Sequence, residues 1–311
     1  MTLPQRVHIT EVGPRDGLQN EKQPVPVDVK VQLCERLLAA GVGNLETTSF
    51  VSPKWVPQMA DAAEVLARIP RPKGVIVSVL TPNMKGLEGA LAAGVDEVVI
   101  FGAATEAFSH RNINCSIAES IERFRPVAEG AQARGVRVRG AVSVAFGCPY
   151  QGEVPVEDVV DVVKRLADLG CDEIGIADTI GTGTASHVRR VMEAAARAYP
   201  IERISGHFHD TYGQAIANIY ASLQSGIHRF DTSIAGLGGC PYAKGATGNV
   251  ATEDVVFLMN GLGIETGLDL DQLVDAGQWI STFLGRKSMS RAGNALAAKK
   301  AAAVAAADAT A

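Results

Sequence analysis

The sequence predicts an α/β protein, a (β/α)8 TIM barrel with additional C-terminal helices capping the barrel. Three observations carry this expectation. Short β-rich runs alternate with helix-length segments from end to end, the order needed by parallel strands joined through crossover helices. Eight such units follow one another without a shift in composition. No dinucleotide-type glycine fingerprint follows the first run, which favours a closed barrel over an open doubly wound sheet, the second choice.

Taken in order, the strands are expected at residues 7–12, 44–48, 75–80, 97–101, 137–144, 173–178, 204–209 and 229–233. Between them, stretches such as 29–40, 117–133, 156–169 and 185–198 return apolar residues at helical spacing. Gly41, Gly94, Gly135, Gly170 and Gly226 each stand just before a strand, where a left-handed helix C-cap suits glycine. The eighth strand leads into a Gly-rich loop and then into helices near 252–262 and 270–283, which are expected to cap the barrel. Residues 1–296 therefore read as a single barrel domain. Residues 297–311 are nearly all Ala, with Lys299, Lys300 and Asp308, and without large apolar anchors they are expected to fray.

At 311 residues, 47% apolar and 20% charged, the chain can bury one large core behind a polar surface. Its formal charge of −5 and the lack of any basic run argue against nucleic acid or an anionic membrane as partner. No stretch reaches the roughly 18–20 apolar residues of a membrane span, and the first residues lack the layout of a secretory signal, so a cytoplasmic location is expected. Five cysteines, odd in number, scattered and free of a CxxC pair, argue against a disulfide framework or structural zinc.

In such a barrel the working residues gather where strands end. The first strand ends in EVGPRDG, where Arg15 and Asp16 suit a cation aimed at an oxyanion beside a carboxylate aimed at a metal. A solvated ion pair in a surface turn explains the same two residues. His207 and His209, in HFHD, share one face of the seventh strand and could share one ion, although an HxH pair alone is a weak signal. Glu46 and Asp178 end the second and sixth strands. If the barrel closes, Asp16, Glu46 and Asp178 converge on the mouth that holds the histidines, and so many charges need a cation to compensate them. Mixed His and carboxylate ligation suits Mg or Mn; zinc stays open, though thiolate ligands are not evident. After the eighth strand, SIAGLGGCPY puts three glycines before Cys240 in a loop able to carry a thiol over the mouth; an inert thiol in a turn is the plain alternative.

EVGPRDGLQNEK at 11–22, ETTSFVSPKWVPQM at 46–59 and AGLGGCPYAKGATGN at 235–249 closely resemble 3-hydroxy-3-methylglutaryl-CoA lyases. The resemblance runs from about Val7 to Arg286 and includes VVIFGAATEAF, DTIG and HFHDTYGQA. It implies a divalent cation, Mg or Mn, held by Asp16, His207, His209 and Asn249. It also implies that Arg15 neutralises a thioester enolate, that Cys240 takes part in proton transfer, and that Glu46 and Asp178 match functional acidic positions. Lys22 falls in the matched N-terminal motif.

The implied reaction is cleavage of 3-hydroxy-3-methylglutaryl-CoA to acetyl-CoA and acetoacetate, as in leucine degradation, with Asp16 or His207 removing the C3 hydroxyl proton. The expected partners are a CoA thioester substrate and further copies of the chain in a homo-oligomer, with no nucleic acid and no membrane. The CoA nucleotide is expected over the loops after strands two to five. The chain departs from the family at Ala141, where relatives often carry an aromatic, and at Phe208, where they often carry Cys; Ala141 could widen the pocket for a longer acyl branch. Starting almost at strand one and ending in Ala-rich sequence, the chain reads as a bacterial-type enzyme. Competing expectations are a lyase for a longer-branched thioester such as isohexenylglutaryl-CoA, a Claisen-condensing synthase, and a non-catalytic barrel that binds metal or CoA.

Overall fold

The structure is a computed structural model that describes residues 3–239 and 248–308. Eight parallel strands close into a barrel in sequence order: β1 His8–Glu11, β2 Asn44–Ser49, β3 Ile76–Leu80, β4 Glu97–Ala103, β5 Arg137–Ser143, β6 Glu173–Asp178, β7 Ile204–Phe208 and β8 Arg229–Thr232. Closure is made by β1 against β8, with His8 opposite Arg229 and Glu11 opposite Thr232. The open doubly wound sheet is thereby excluded.

The crossover helices are α1 Val27–Ala39, α2 Ala62–Arg68, α3 Met84–Ala92, α4 Glu106–Ile113, α5 Ile117–Gln132, α6 Val156–Asp168, α7 Ala185–Ala198 and α8 Ala215–Gln224. The short α4 is an addition the sequence pattern did not indicate, and a capping box between Ser116 and Glu119 restarts the chain into α5. The five glycines before strands all adopt positive φ, from +65° at Gly94 to +94° at Gly41, as a left-handed cap requires.

Beyond β8 lie α9 Thr252–Leu262, α10 Leu270–Phe283 and α11 Arg291–Asp308, the first two at the expected bounds. α10 packs on α1, and Leu273, Ala276 and Ile280 join the core. The Ala-rich stretch is helical to Asp308, and its side chains from Lys299 to Ala307 are exposed, so it adds nothing to the core. Among the described residues no helix is long and apolar enough to cross a membrane.

Alternation along the strands separates two environments. On β5, Val138, Gly140 and Val142 are buried toward the helices; a Cβ on Gly140 would stand 3.0 Å from Leu166. Arg139, two residues on from Arg137, turns inward and meets Glu173 at 3.1 Å and Asp231 across the barrel. Branched apolar side chains commonly fill such interiors. Here ionic pairs, Arg137 with Glu97 and Arg229 with Glu173, occupy the lower half and leave the upper half to the site.

Candidate active site

β1 does not run straight into its loop. After Val12 the chain winds into one π-type turn, Gly13–Gly17, in which the amides of Arg15, Asp16 and Gly17 donate to the Val12 carbonyl at 3.2, 2.8 and 3.1 Å. Wide turns of this kind alter the usual helical stagger. Here the two neighbours meet, with Arg15 Nη1 2.6 Å from Asp16 Oδ1. Arg15 Nε donates to Glu46 Oε1 at 2.6 Å. Glu46 is buried just before an irregularity in β2, where the register against β3 slips between Glu46 and Thr48. A bulge re-aims the side chains that flank it.

His207 faces inward from β7, and His209 follows one residue past the strand. Their ring centroids are 5.2 Å apart. Asp16, His207 and His209 each offer a ligand atom, and these atoms lie within 4.8 Å of one another, the one such group among the described residues. Asn249 is brought alongside by backbone pairing: it bridges His209, while Val250 N donates to Phe208 O at 3.0 Å and Ser233 N to Val250 O at 3.0 Å. Its amide donates to Asp16 Oδ2 at 2.8 Å. Gly238, at φ +120°, makes this possible, since a Cβ there would come within 2.7 Å of Asn249 Nδ2.

The electrostatics follow from burial and neighbours. Burial opposes the Arg15 charge, but Glu46 and Asp16 more than offset it and hold the guanidinium protonated. For Asp16 burial alone would raise the pKa, yet Arg15 and the two histidines pull it well below the usual carboxylate range. Burial and the neighbouring His207 push His209 down to about 4. His207 is held up instead, since Asp231, at 3.1 Å from Nδ1, outweighs the effect of burial. The Nδ1 of His209 is buried without a hydrogen-bond partner. It is Nε2 that His209 turns toward Asp16, 4.0 Å from Oδ2, and a neutral imidazole facing an ionised carboxylate and a second imidazole fits a cation, which accepts lone pairs and needs no donor.

Sequence expectations meet this geometry unevenly. Arg15, Asp16, Glu46, His207, His209 and Asn249 are brought together. Asp178 serves its own loop: its carboxylate accepts from Thr182 N at 3.0 Å and Gly183 N at 2.9 Å, and burial pushes its pKa up to about 6. Lys22 is exposed on the loop before α1. Cys240 lies outside the described residues. Sequence reasoning did not single out Asp231, Arg139, Glu11 or Glu253. Glu11 accepts from Gly13 N at 2.7 Å and Ile234 N at 2.9 Å, and Glu253 accepts from Ala235 N at 3.0 Å, so two buried carboxylates pin the start of the Gly-rich loop. The available signal was ionisable residues at inward or core positions of β-branched runs.

Fold and site together place the chain among (β/α)8-barrel enzymes that work at the C-terminal face. A family profile described as HMGL-like matches residues 6–280. The chain is 60% identical over 299 residues to the 3-hydroxy-3-isohexenylglutaryl-CoA/hydroxy-methylglutaryl-CoA lyase of Pseudomonas aeruginosa, covering 96% of this chain and 100% of that one. It is 53% identical over 294 residues to the mitochondrial hydroxymethylglutaryl-CoA lyase of Rattus norvegicus, covering 94% of this chain and 90% of that one. The crystal structure of hydroxymethylglutaryl-CoA lyase from Pseudomonas aeruginosa superposes with a TM-score of 0.95 at 60% identity, over 96% of this chain and 100% of that one. This chain belongs to the HMGL-like family.

Proposed function

We propose that the chain is a lyase that cleaves 3-hydroxy-3-methylglutaryl-CoA to acetyl-CoA and acetoacetate, using a divalent cation, Mg or Mn, held by Asp16, His207, His209 and Asn249. The observation that carries this reading is the convergence of the Asp16, His207 and His209 ligand atoms within 4.8 Å, beside the Arg15 guanidinium. When bound, the cation supplies Lewis-acid polarisation of the substrate's C3 hydroxyl and carboxylate oxygens.

The chain's own residues do the rest. Asp16 removes the C3 hydroxyl proton, since His207 has Nδ1 on Asp231 and its other nitrogen in the ligand set. The C2–C3 bond then breaks, C3 becomes the ketone of acetoacetate, and the electron pair passes to the acetyl-CoA enolate. Arg15, kept charged by Glu46 and Asp16, faces the enolate oxygen. Cys240 delivers a proton to the enolate carbon, while the glycines before it let the loop exclude water. Asp178 holds the loop after β6 at the rim of the mouth.

Turnover of the substrate by purified protein, in excess EDTA and then with Mg or Mn restored, tests the reading. Acetoacetate that appears only with metal supports it; folded protein that makes none with any metal overturns it. The same preparation run on a calibrated sizing column with light scattering tests the homo-oligomeric assembly that accompanies this reading; the cytoplasmic location that goes with it is tested by cell fractionation.

One observation favours a second substrate. Ala141 lies on the inner wall of β5, half-buried and level with Gly175 on β6, two small residues side by side, while Phe101 on its other side has its ring 5.1 Å from that of Phe124 on α5. A longer branch at C3 would find room there.

A further inference from the structure

We infer that Asp231 is a positioning residue for His207, fixing the imidazole tautomer that presents Nε2 to the cation; the inference rests on the ligand set proposed above. His207 and Asp231 are opposite one another in the register of β7 and β8, so both side chains turn into the barrel at one level. Asp231 Oδ2 lies 3.1 Å from His207 Nδ1, and its other oxygen accepts from Arg139 Nη2.

Arg139 is itself fixed. Its guanidinium donates to Ser205 Oγ at 3.1 Å and pairs with Glu173 at 3.1 Å, which in turn meets Arg229 at 3.1 Å. Asp231 and Arg139 are both buried. A charged row through a barrel axis is not a stability device, because well-packed apolar side chains would serve as well or better. It does have an orienting use. An arginine can only donate, so one carboxylate oxygen of Asp231 is committed to it, and the other, unprotonated, is left to accept from His207. That acceptor places the ring proton on Nδ1 and frees the Nε2 lone pair.

The substitution Asp231→Asn inverts this logic with little change of shape. Arg139 captures the amide oxygen, the amide NH2 faces Nδ1, and the ring proton moves to Nε2, where it blocks ligation, as in the wrong-tautomer variant of a serine-protease triad. Two measurements decide. Nitrogen-15 NMR of the metal-free protein, in alkaline buffer where the ring is neutral and with His207→Gln to assign the signal, should show the Nδ1–H form in the wild type and the Nε2–H form in Asp231→Asn. Mn(II) binding followed by EPR should weaken in Asp231→Asn by roughly 10–100-fold. Wild-type protein with His207 in the Nε2–H form overturns the inference, even if the variant does not fold. Wild-type Mn(II) binding that Asp231→Asn leaves intact also overturns it, with the ligand set still standing. No Mn(II) binding by the wild type overturns the ligand set beneath it.

Discussion

Arg15 donates from Nε to Glu46 across 2.6 Å while its Nη1 reaches Asp16 at the same distance, so two carboxylates on different strand ends hold one guanidinium fork. A lysine keeps the charge but cannot span both partners with fixed geometry. Arg15→Lys should lower kcat by roughly 10²–10³, the usual loss on removing one oxyanion donor. Mn(II) affinity should change little, because Asp16 keeps Asn249 as a hydrogen-bond partner. Steady-state assays on 3-hydroxy-3-methylglutaryl-CoA check this, and a kcat near wild type would take Arg15 out of the enolate-facing role.

His209 turns Nε2 toward Asp16 Oδ2 at 4.0 Å and has a pKa pushed down to about 4, so it is neutral near pH 7 and able to ligate. His209→Ala should weaken Mn(II) binding by more than the roughly 10–100-fold typical of losing an outer partner. Calorimetric titration of the metal-free variant reads this directly. Unchanged affinity would leave Asp16 and His207 without their third partner and remove His209 from the ligand set.

Cys240→Ala separates binding from proton transfer. The described ligands do not include the thiol, so Mn(II) affinity should stay as in the wild type. Turnover should fall by roughly 10²–10⁴, the range for a lost general acid or base. Turnover near the wild-type rate would mean that the enolate takes its proton from another donor.

These residues show where sequence reasoning succeeds and where it stops. The eight strands were legible because a parallel strand buried on both faces is a compact β-branched run bounded by glycine or a helix, and β6 matches its expected bounds of 173–178. Asp16, His207 and His209 were legible because strand ends are where such a barrel keeps its chemistry. The π-type turn that brings Arg15 onto Asp16, and the slipped register beside Glu46, were not, since both arise from hydrogen bonding between elements. Asp231 and Arg139 were hidden for the same reason. Each is one charged residue in an apolar run, and only barrel closure sets β5 and β8 face to face across the interior.

The second substrate proposed above makes Ala141 the position to test for branch length. Ala141→Tyr would place a large side chain on the inner wall beside Gly175. The expected result is a fall in kcat/KM of roughly 10–200-fold for a longer-branched thioester, the range open to a hydrophobic pocket, with a smaller effect on 3-hydroxy-3-methylglutaryl-CoA. Competition assays with both substrates measure the ratio. An equal fall for the two would show that the residue touches a part common to both.

Glu253 links the Gly-rich loop to pH. Burial, with Glu11 as a like-charged neighbour, pushes its pKa up to about 8, while its oxygens hold the amide of Ala235, which sits at φ +56°. In the unfolded chain the group ionises near its ordinary value of 4.5, whereas the folded protein keeps its proton to about 8. The unfolded state thus binds fewer protons in that window, and stability declines as pH rises through it, by about 1.4 kcal/mol per unit. Glu11, pushed up to about 7 by burial, adds a slope of the same sign that both proteins share. Glu253→Gln removes only its own part. Its melting temperature relative to wild type should therefore climb from the acid end of the window to about pH 8 and then level off. A difference that stays constant across that range would mean that Glu253 ionises as an ordinary carboxylate and that the loop is anchored by a charge.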